Sequence, residues 1–413
     1  MGIMKKTSFI YLNCKHYDGT VFVTQIADWL RLYRTKGIEF QYYHQFYGSE
    51  MLRWKWCKSH LKKIRTVIPY IANVSYSFPE KWFFPQFNAF MLNWVLNKKL
   101  KESDRVVIFS RMLYGKEISL LKKISKKEII YIYDARGASM EEHKYQLMKK
   151  GLTFSKIEGL LKHISEVEGS AVKNADLVFT VSEHLRDYLC EMYSTPKRKF
   201  FVYPCLSDST KFFYDEKIRE ETRSKLGYNK DNHVYIYSGG LENNYHLLDQ
   251  TLSFLNNVAS WDDNARFLFL SKDRLDDNKV KTLYVNLYGK VQVRSVSNED
   301  VYKYLNASDF GILFRDDVIM NNVASPSKFA EYVLCGLPTI ISKGVGDFSE
   351  LCEQEKLGIV VENFNLSVFD KNKLLNNVFD RNLIADFGKK HYPSNHNLTL
   401  SFLNSSSFYE INK

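Results

Sequence analysis

SDFGILFRDDVIMNNVASPSKFAEYVLCGLPTIIS, residues 308–342, is the stretch that decides the fold. It begins and ends with compact apolar runs, DFGILF and LPTIIS, of the kind that buried parallel strands need. The segment between them predicts a short helix: Ser325 is placed to be its N-cap, Pro326 fits the first helical position, and Gly336 can take the left-handed conformation just past the end. The stretch therefore predicts a strand, a helix and a second strand.

Lys328 and Glu331 share one face of this predicted helix when residues are placed 100° apart. A helix N-terminus that follows a strand offers free amide hydrogens and a partial positive charge, which favour phosphate. With Lys328 close to that end, the site suits a diphosphate. The same spacing is typical of an ordinary surface ion pair, and spacing alone leaves both interpretations open.

The segments ASDFGILFR, ASPSKFAEY and CGLPTIIS resemble the nucleotide-sugar-binding core of the retaining glycosyltransferases of family 4, in the branch with an SPxKxxEY donor-site helix. That family has the GT-B fold, an α/β architecture of two facing Rossmann-like domains with parallel sheets. The resemblance implies that Glu331 holds the ribose hydroxyls of a nucleotide-sugar donor. Many members have another glutamate eight positions earlier that contacts the transferred sugar, and this chain has Val323 there.

A second glycine turn follows the apolar run HVYIYS. Ser238, Gly239 and Gly240 at this turn would let backbone amides reach a phosphate, although glycines here can also serve only the geometry of the turn. Members of the family commonly have Arg or Lys at the position of Gly240. Because this chain does not, the sequence assigns the cationic role in donor binding to Lys328 and Arg315.

Two predicted strands of the first half, RVVIFS and EIIYIYDA, are each followed by an arginine, and ligands bind beyond the carboxyl ends of parallel strands. They resemble the family branch with an arginine after one strand and Asp-x-Arg-Gly plus a glutamate after the next; the corresponding residues here are Arg111, Asp134, Arg136, Gly137 and Glu141 or Glu142. The resemblance implies that Asp134, Arg136 and Lys328 are catalytic, whereas Arg111 and the glutamates lie on the acceptor or phosphate side. A simple brace between Asp134 and Arg136 is the alternative.

The chain of 413 residues, with 45% hydrophobic and 25% charged residues, has the length and composition of two globular domains. We expect an acceptor-side domain over residues 1–204, a nucleotide-sugar-binding domain over 205–390, and a tail over 391–413 that crosses back to the first domain. Gly19 lies in a turn that resembles the family's first donor loop, or is an ordinary turn glycine. No segment resembles a signal peptide or a spanning helix, and the six cysteines are scattered, which predicts a reduced, cytoplasmic protein.

Positive charge is concentrated in the first half: residues 1–210 carry a net charge of +14 and the remainder −3. Residues 53–65 interleave six Lys and Arg side chains with Trp54 and Trp56. Cations among tryptophans are typical of a helix at an anionic membrane surface, here the inner face of the plasma membrane. A solvated basic face is the alternative, and no nucleic-acid-binding motif accompanies the segment.

Together with these patterns, the resemblance to family 4 implies a glycosyltransferase that moves a sugar, with retention, from a nucleotide-diphosphate donor to an acceptor, expected to be a lipid-linked surface polysaccharide intermediate. No cofactor and no metal are expected, because the acidic doublets at 262, 276 and 316 are adjacent pairs rather than DxD triplets. The alternatives are a sugar-nucleotide epimerase of the same fold and a non-catalytic glycan-binding or nucleic-acid-binding protein.

Overall fold

A computed structural model describes most of the chain, and it divides into two compact units between Tyr203 and Pro204. The described residues are 6–13, 22–35, 37–47, 50, 53–68, 73–77, 85–111, 113–205, 207–241, 247–362, 371–375 and 378–392. The expected tail over 391–413 lies outside these residues, apart from 391 and 392, and its return to the first domain stays a prediction. Tyr392 packs into the core of the second unit.

The first unit is built around a parallel sheet of seven described strands in the order β3-β2-β1-β4-β5-β6-β7. Its elements, with a π-helical turn at Val23–Ala27 leading into the first helix, are β1 (Thr7–Asn13), α1 (Asp28–Thr35), β2 (Phe40–Tyr47), α2 (Trp54–Val67), β3 (Asn73–Ser77), α3 (Pro85–Glu102), β4 (Arg105–Ser110), α4 (Gly115–Ser125), β5 (Glu128–Ala135), α5 (Ser139–Lys149), α6 (Phe154–Asn174), β6 (Leu177–Thr180), α7 (Glu183–Tyr193) and β7 (Phe200–Val202).

The second unit contains a parallel sheet of six described strands in the order β10-β9-β8-β11-β12-β13. Its elements are α8 (Glu216–Leu226), β8 (His233–Ser238), α9 (Leu248–Trp261), β9 (Ala265–Leu270), α10 (Asp277–Leu283), β10 (Val291–Arg294), α11 (Val301–Ala307), β11 (Phe310–Leu313), α12 (Ile319–Asn322), α13 (Ser327–Leu334), β12 (Thr339–Ser342), α14 (Phe348–Gln354), β13 (Gly358–Val361), α15 (Asn372–Leu375) and α16 (Arg381–His391).

The predicted strand, helix and strand of residues 308–342 are present as β11, α13 and β12, with an added short helix, α12. The two strands pair in parallel, with Ile312 opposite Ile340. Gly311 in β11 makes room for the ring of Tyr332 from α13, because a Cβ added at Gly311 would lie 2.5 Å from a ring carbon. This close approach packs α13 directly against the sheet.

Each sheet reverses its strand order at one point, and ligands of open parallel sheets bind beyond the carboxyl ends of the strands at such points. In the first unit β1 and β4 are neighbours there, and in the second unit β8 and β11 are. The candidate residues that follow these strands therefore lie where the fold favours a binding site. Among the described residues, no helix combines the length and the apolar character needed to cross a membrane.

Candidate functional site

Helix α13 begins at Ser327, one residue later than the sequence pattern indicates. Its N-cap is Pro326, which has an extended backbone with φ −67° and ψ 122°. The prediction that Ser325 is the N-cap was wrong, because the Ser325 Oγ accepts a 3.0 Å hydrogen bond from the backbone N–H of Cys205. Gly336 has the predicted left-handed conformation after the helix, at φ +61°.

The side chain of Lys328 extends from the first turn of α13 over the glycine turn that follows β8. A Cβ added to Gly239 would lie 3.0 Å from the Lys328 Cε and 3.2 Å from its Nζ, so the ammonium group rests directly above this residue. Gly239 also has a backbone φ of +152°, which residues other than glycine rarely adopt. Two residues that lie far apart in the sequence are thus brought together by the absence of a side chain at Gly239.

Lys328 and Glu331 are both half-buried, and burial acts on each charge. Burial lowers the pKa of the Lys328 ammonium; the nearby Arg315 acts in the same direction, and Glu331 opposes it. Burial raises the pKa of the Glu331 carboxyl, which Lys328 and a hydrogen bond from the Ser327 side chain partly offset. Neither residue forms an ion pair within 4.0 Å inside the described part of the chain, so their charges remain available to a polar ligand.

The glycine turn at residues 238–240 is held by side chains that the sequence analysis did not single out. The Tyr237 hydroxyl donates a 2.9 Å hydrogen bond to the carbonyl of Gly240, and the Asp273 carboxylate accepts a 2.6 Å bond from the amide of Leu241. The amide of Gly239 donates to the carbonyl of Leu270 at 2.9 Å. That amide is therefore engaged within the fold and does not serve a phosphate, whereas the predicted role of the Ser238 and Gly240 amides stays a prediction.

Arg315 follows β11 and is fixed through its backbone by Ser342 at the end of β12. The amide of Arg315 donates to the Ser342 Oγ at 2.9 Å, and the same hydroxyl donates to the Arg315 carbonyl at 3.1 Å. Its positive charge is close enough to lower the pKa of Lys328. The structure thus gathers Arg315, Lys328 and Glu331 at the carboxyl ends of β8 and β11.

In the first unit, Asp134 gathers two arginines at the corresponding end of the sheet. Its Oδ2 accepts a 3.0 Å bond from the Arg111 Nε and a 3.2 Å bond from the Tyr11 hydroxyl, and its Oδ1 lies 3.6 Å from an Arg136 guanidinium nitrogen. Burial alone would raise the pKa of Asp134, but Arg136 and Arg111 hold that pKa below its usual value. The brace between Asp134 and Arg136 exists, and it includes Arg111 as well.

The structure separates the two glutamates that the sequence left as alternatives. The Glu142 carboxylate lies over Gly137, because a Cβ added there would meet its Oε1 at 2.0 Å. Glu141 instead pairs with Lys144 at 3.3 Å. Of the two, Glu142 is therefore the glutamate that adjoins the Asp-Ala-Arg-Gly loop.

Glu168 on α6 is a fully buried residue that the sequence analysis missed. Its Oε1 accepts a 2.7 Å bond from the amide of Ser139, and its Oε2 accepts a 2.8 Å bond from the Tyr193 hydroxyl. It thereby anchors the start of α5 immediately after the arginine loop. In the sequence, the only signal for Glu168 is its position within a long amphipathic helix, and that position does not reveal its hydrogen-bond partners.

Helix α2 exposes the cations of the basic segment, as an interfacial helix requires. Its inner face buries Cys57, His60 and Ile64. All six cations of the segment are exposed, and so is Trp54; these cations are Arg53, Lys55, Lys58, Lys62, Lys63 and Arg65. The guanidinium of Arg53 lies 5.2 Å from the centre of the Trp56 ring, and the ammonium of Lys58 lies 5.2 Å from that of Trp54.

The predictions for Gly19 and for metal independence stay predictions. Gly19 lies outside the described residues. Within the described ranges, no group of three or more His, Cys, Asp or Glu side chains is placed to hold a metal ion, and metal independence stays a prediction.

Comparison with known proteins identifies the fold. No family model and no curated protein matches the chain. A glycosyltransferase from Rickettsia africae has a TM-score of 0.64 and 13% identity, with all of both chains covered. HepE from Anabaena, in complex with UDP, has a TM-score of 0.63 and 13% identity over 96% of this chain and 100% of its own.

A putative UDP-N-acetylglucosamine 2-epimerase from Listeria monocytogenes is also similar, with a TM-score of 0.52 and 12% identity over 98% of each chain. At such identities the likeness establishes the fold alone. The chain has the GT-B fold, with two Rossmann-like domains and parallel sheets, and the predicted fold class is confirmed.

Proposed function

We propose that this protein is a retaining glycosyltransferase of family 4 that uses a nucleotide-diphosphate sugar, and that the second unit binds the donor. The observation that carries the proposal is the Lys328 ammonium, which rests over Gly239 with Glu331 on the same helix. A diphosphate requires a cation, and ribose hydroxyls require a hydrogen-bond acceptor. Lysine, helix amides and glutamate supply them without a metal.

Lys328 acts on the charge that develops during the reaction. As the bond between the sugar and the diphosphate breaks, the departing phosphate gains negative charge, and a cation already in place stabilises that charge. Arg315, close to Lys328, adds to the same positive field. Glu331 accepts hydrogen bonds from ribose hydroxyls, which do not change during transfer.

In the first unit, Arg111 and Arg136 serve the anionic or acceptor side of the reaction. Asp134 holds both guanidinium groups, and its lowered pKa makes it a weak base. We therefore assign Asp134 the task of positioning the arginines rather than that of accepting a proton. Glu142, which adjoins the same loop, belongs to this group.

The acceptor is a lipid-linked surface polysaccharide intermediate, and the protein meets it at an anionic membrane surface through α2. What supports this assignment is the net charge of +14 over residues 1–210 and the exposure of six cations on or beside α2. Flotation with anionic vesicles at low salt tests it. Replacing Arg53, Lys55, Lys62 and Lys63 by Ser removes four of these six cations and should strongly reduce the salt-sensitive part of binding. Unchanged flotation would remove α2 from the proposal.

The donor site is tested by thermal shift with UDP-, GDP-, CMP- and ADP-sugars. One nucleotide class should raise the melting temperature of the wild type, and the shift should shrink in Glu331→Gln but not in Glu299→Gln, a matched exposed glutamate of the same unit. If no sugar nucleotide raises the melting temperature, or if both variants respond like the wild type, the proposed donor site is wrong. Transfer assays with EDTA then test the absence of a metal requirement.

An epimerase is the second candidate, because a protein described as a putative epimerase shares the fold. The two activities differ in their need for an acceptor. A glycosyltransferase should leave the sugar nucleotide unchanged until acceptor is added, apart from slow hydrolysis, whereas an epimerase should convert it in the absence of any acceptor. Analysis of the nucleotide sugar after incubation with the protein alone separates them.

A further inference from the structure

Strand β8 loses one of its two neighbouring strands before it ends. It pairs with β9 along its whole length, but with β11 only at Tyr235 and Ile236. Within the described sheet, its last two residues, Tyr237 and Ser238, therefore pair with β9 alone. The carboxyl ends of β8 and β11 part at the switch point, and the glycine turn begins where they part.

The side chain of Tyr332 from α13 lies between the two parting strands. Its ring is fully buried and lies over Gly311, where an added Cβ would come within 2.5 Å of a ring carbon. Its hydroxyl donates a 3.4 Å hydrogen bond to the carbonyl of Ile312 and accepts one from the backbone amide of Ser238. Burial raises the pKa of this hydroxyl above its ordinary value of 10.0, so the group stays protonated and can both donate and accept.

The Tyr332 hydroxyl takes the place of one hydrogen bond of the sheet. Alternate residues of a parallel strand bond to the same neighbouring strand. Ile236 is the last residue of β8 that pairs with β11, and Ser238, two residues later, is the next one whose amide faces that strand. The amide of Gly239 faces the other way and donates to Leu270 of β9. The tyrosine hydroxyl thus joins two main-chain groups that a longer ladder would join directly.

We propose that Tyr332 is a positioning residue of the donor site, whose hydroxyl links the glycine turn to α13 and fixes that turn beneath the Lys328 ammonium. Lys328 lies one helical turn before Tyr332 and rests over Gly239, the residue that follows Ser238. The link assigns the Ser238 amide to Tyr332 and leaves the Gly240 amide for a phosphate. The inference rests on the proposed function, because it gives Tyr332 a task at the proposed donor site.

A turn that is already held in place favours binding, because little ordering remains to be done when a diphosphate arrives. Helix α13 holds this turn at two successive helical turns. Lys328 lies over Gly239, and Tyr332 binds the amide of the preceding residue. The position of the ammonium relative to the turn therefore depends on the Tyr332 hydroxyl, although that hydroxyl does not touch the ligand.

Tyr332→Phe tests the link, because it keeps the ring over Gly311 and removes only the hydroxyl. The ring still separates the strands, so the Ser238 amide and the Ile312 carbonyl cannot reach each other. In the ligand-free protein, the Ser238 amide should exchange with solvent at least about tenfold faster, measured by NMR of serine-labelled protein. The matched control is Tyr228→Phe in the same core, because the buried Tyr228 hydroxyl has no hydrogen-bond partner among the described residues. This control should exchange as the wild type does.

Calorimetry with UDP, GDP and ADP, together with steady-state kinetics, tests the consequence for the donor site. Tyr332→Phe should bind the diphosphate that the wild type prefers about tenfold more weakly and should also lower kcat, because Lys328 then meets a less precisely placed diphosphate. A structural role alone would lower the melting temperature and leave Kd and kcat of the folded enzyme unchanged.

Two results would overturn the inference: unchanged exchange of the Ser238 amide, or unchanged Kd and kcat in Tyr332→Phe. Failure of the proposed function looks different, because the wild type would then bind none of the three nucleoside diphosphates. In that case the exchange rate still decides whether the Tyr332 hydroxyl holds the turn, since that measurement needs no ligand.

Discussion

The carboxyl-end sites of the two units occupy the same position in two similar sheets, but they use their charges differently. In the first unit, Asp134 engages Arg111 and Arg136 within 3.6 Å. In the second, Lys328 and Glu331 share a helix face and form no ion pair within 4.0 Å inside the described ranges. A closed cluster stabilises the fold and orients its members, whereas separated charges are ready to bind a ligand. Substitutions in the first site should therefore act mainly on stability, and those in the second on activity.

The largest effect is expected from Asp134→Asn. This change leaves two guanidinium groups side by side with no anion between them, and removal of one partner from a buried charge cluster costs about 3 to 5 kcal/mol in the free energy of unfolding. Asp187→Asn, in an exposed cluster with Arg186 and Lys197, should cost under about 1 kcal/mol. Chemical denaturation of both variants at neutral pH measures the difference.

The pH dependence of this loss follows from the sign of the pKa shift. Asp134 has a lowered pKa in the folded protein, so its ionised form stabilises the fold above the unfolded pKa, and this contribution is lost as the pH falls through the folded value. The gap between wild type and Asp134→Asn should narrow below pH 3.8, the ordinary value. A gap that stays constant down to the acid transition would contradict the ion cluster.

Lys328→Ala should leave the fold intact and reduce turnover. Removal of one group that stabilises developing charge costs about 100- to 1000-fold in kcat, and donor affinity should fall as well. Lys303→Ala, which removes an exposed lysine paired with Asp300 in the same unit, is the matched control. Steady-state kinetics with saturating acceptor measure the effect, and a Lys328→Ala enzyme with normal kcat would mean that Lys328 does not stabilise the developing charge.

Glu331→Gln should weaken binding of the nucleotide sugar and leave the rate of the chemical step nearly unchanged. Ribose hydroxyls do not change during transfer, so loss of a charge-assisted hydrogen bond should weaken donor binding by about 1.5 to 3 kcal/mol and leave kcat nearly unchanged. Calorimetric titration of the nucleoside diphosphate and kinetics of the same preparation check the two halves of this expectation. An equal loss in kcat and in binding would place Glu331 at the reacting centre instead.

The parts of these sites that the sequence could predict are local. Strands β11 and β12 and the shared face of Lys328 and Glu331 follow from apolar runs and helical spacing within 35 residues. The errors and omissions involve distant partners. The sequence could not show that Ser325 is not a helix cap, because the backbone amide that donates to its hydroxyl oxygen belongs to Cys205, 120 residues away. Tyr11 was likewise missed, since it meets Asp134 across 123 residues.

Ser327→Ala should have the smallest effect of the variants considered, and it tests whether the Ser327 hydroxyl positions Glu331. The Ser327 side chain hydrogen-bonds to the Glu331 carboxylate and lowers its pKa, against the upward effect of burial. Without the Ser327 hydroxyl, the pKa of Glu331 should rise, so the acid limb of the kcat/KM profile should move to higher pH. Binding of the nucleotide sugar at neutral pH should weaken by under about 1.5 kcal/mol, because the carboxylate is kept and only the hydrogen bond that orients it is lost.

The alkaline limb provides the internal control for this variant. It reports deprotonation of Lys328, whose pKa burial lowers from the ordinary value of 10.5, so the wild-type limb should lie below that value. Ser327→Ala should leave this limb in place, because Ser327 acts on the carboxylate and not on the ammonium. If both limbs move together, the substitution has disturbed the whole helix. If neither moves, Ser327 does not position Glu331, and the contrast between a braced first site and a ligand-ready second site rests on Lys328 alone.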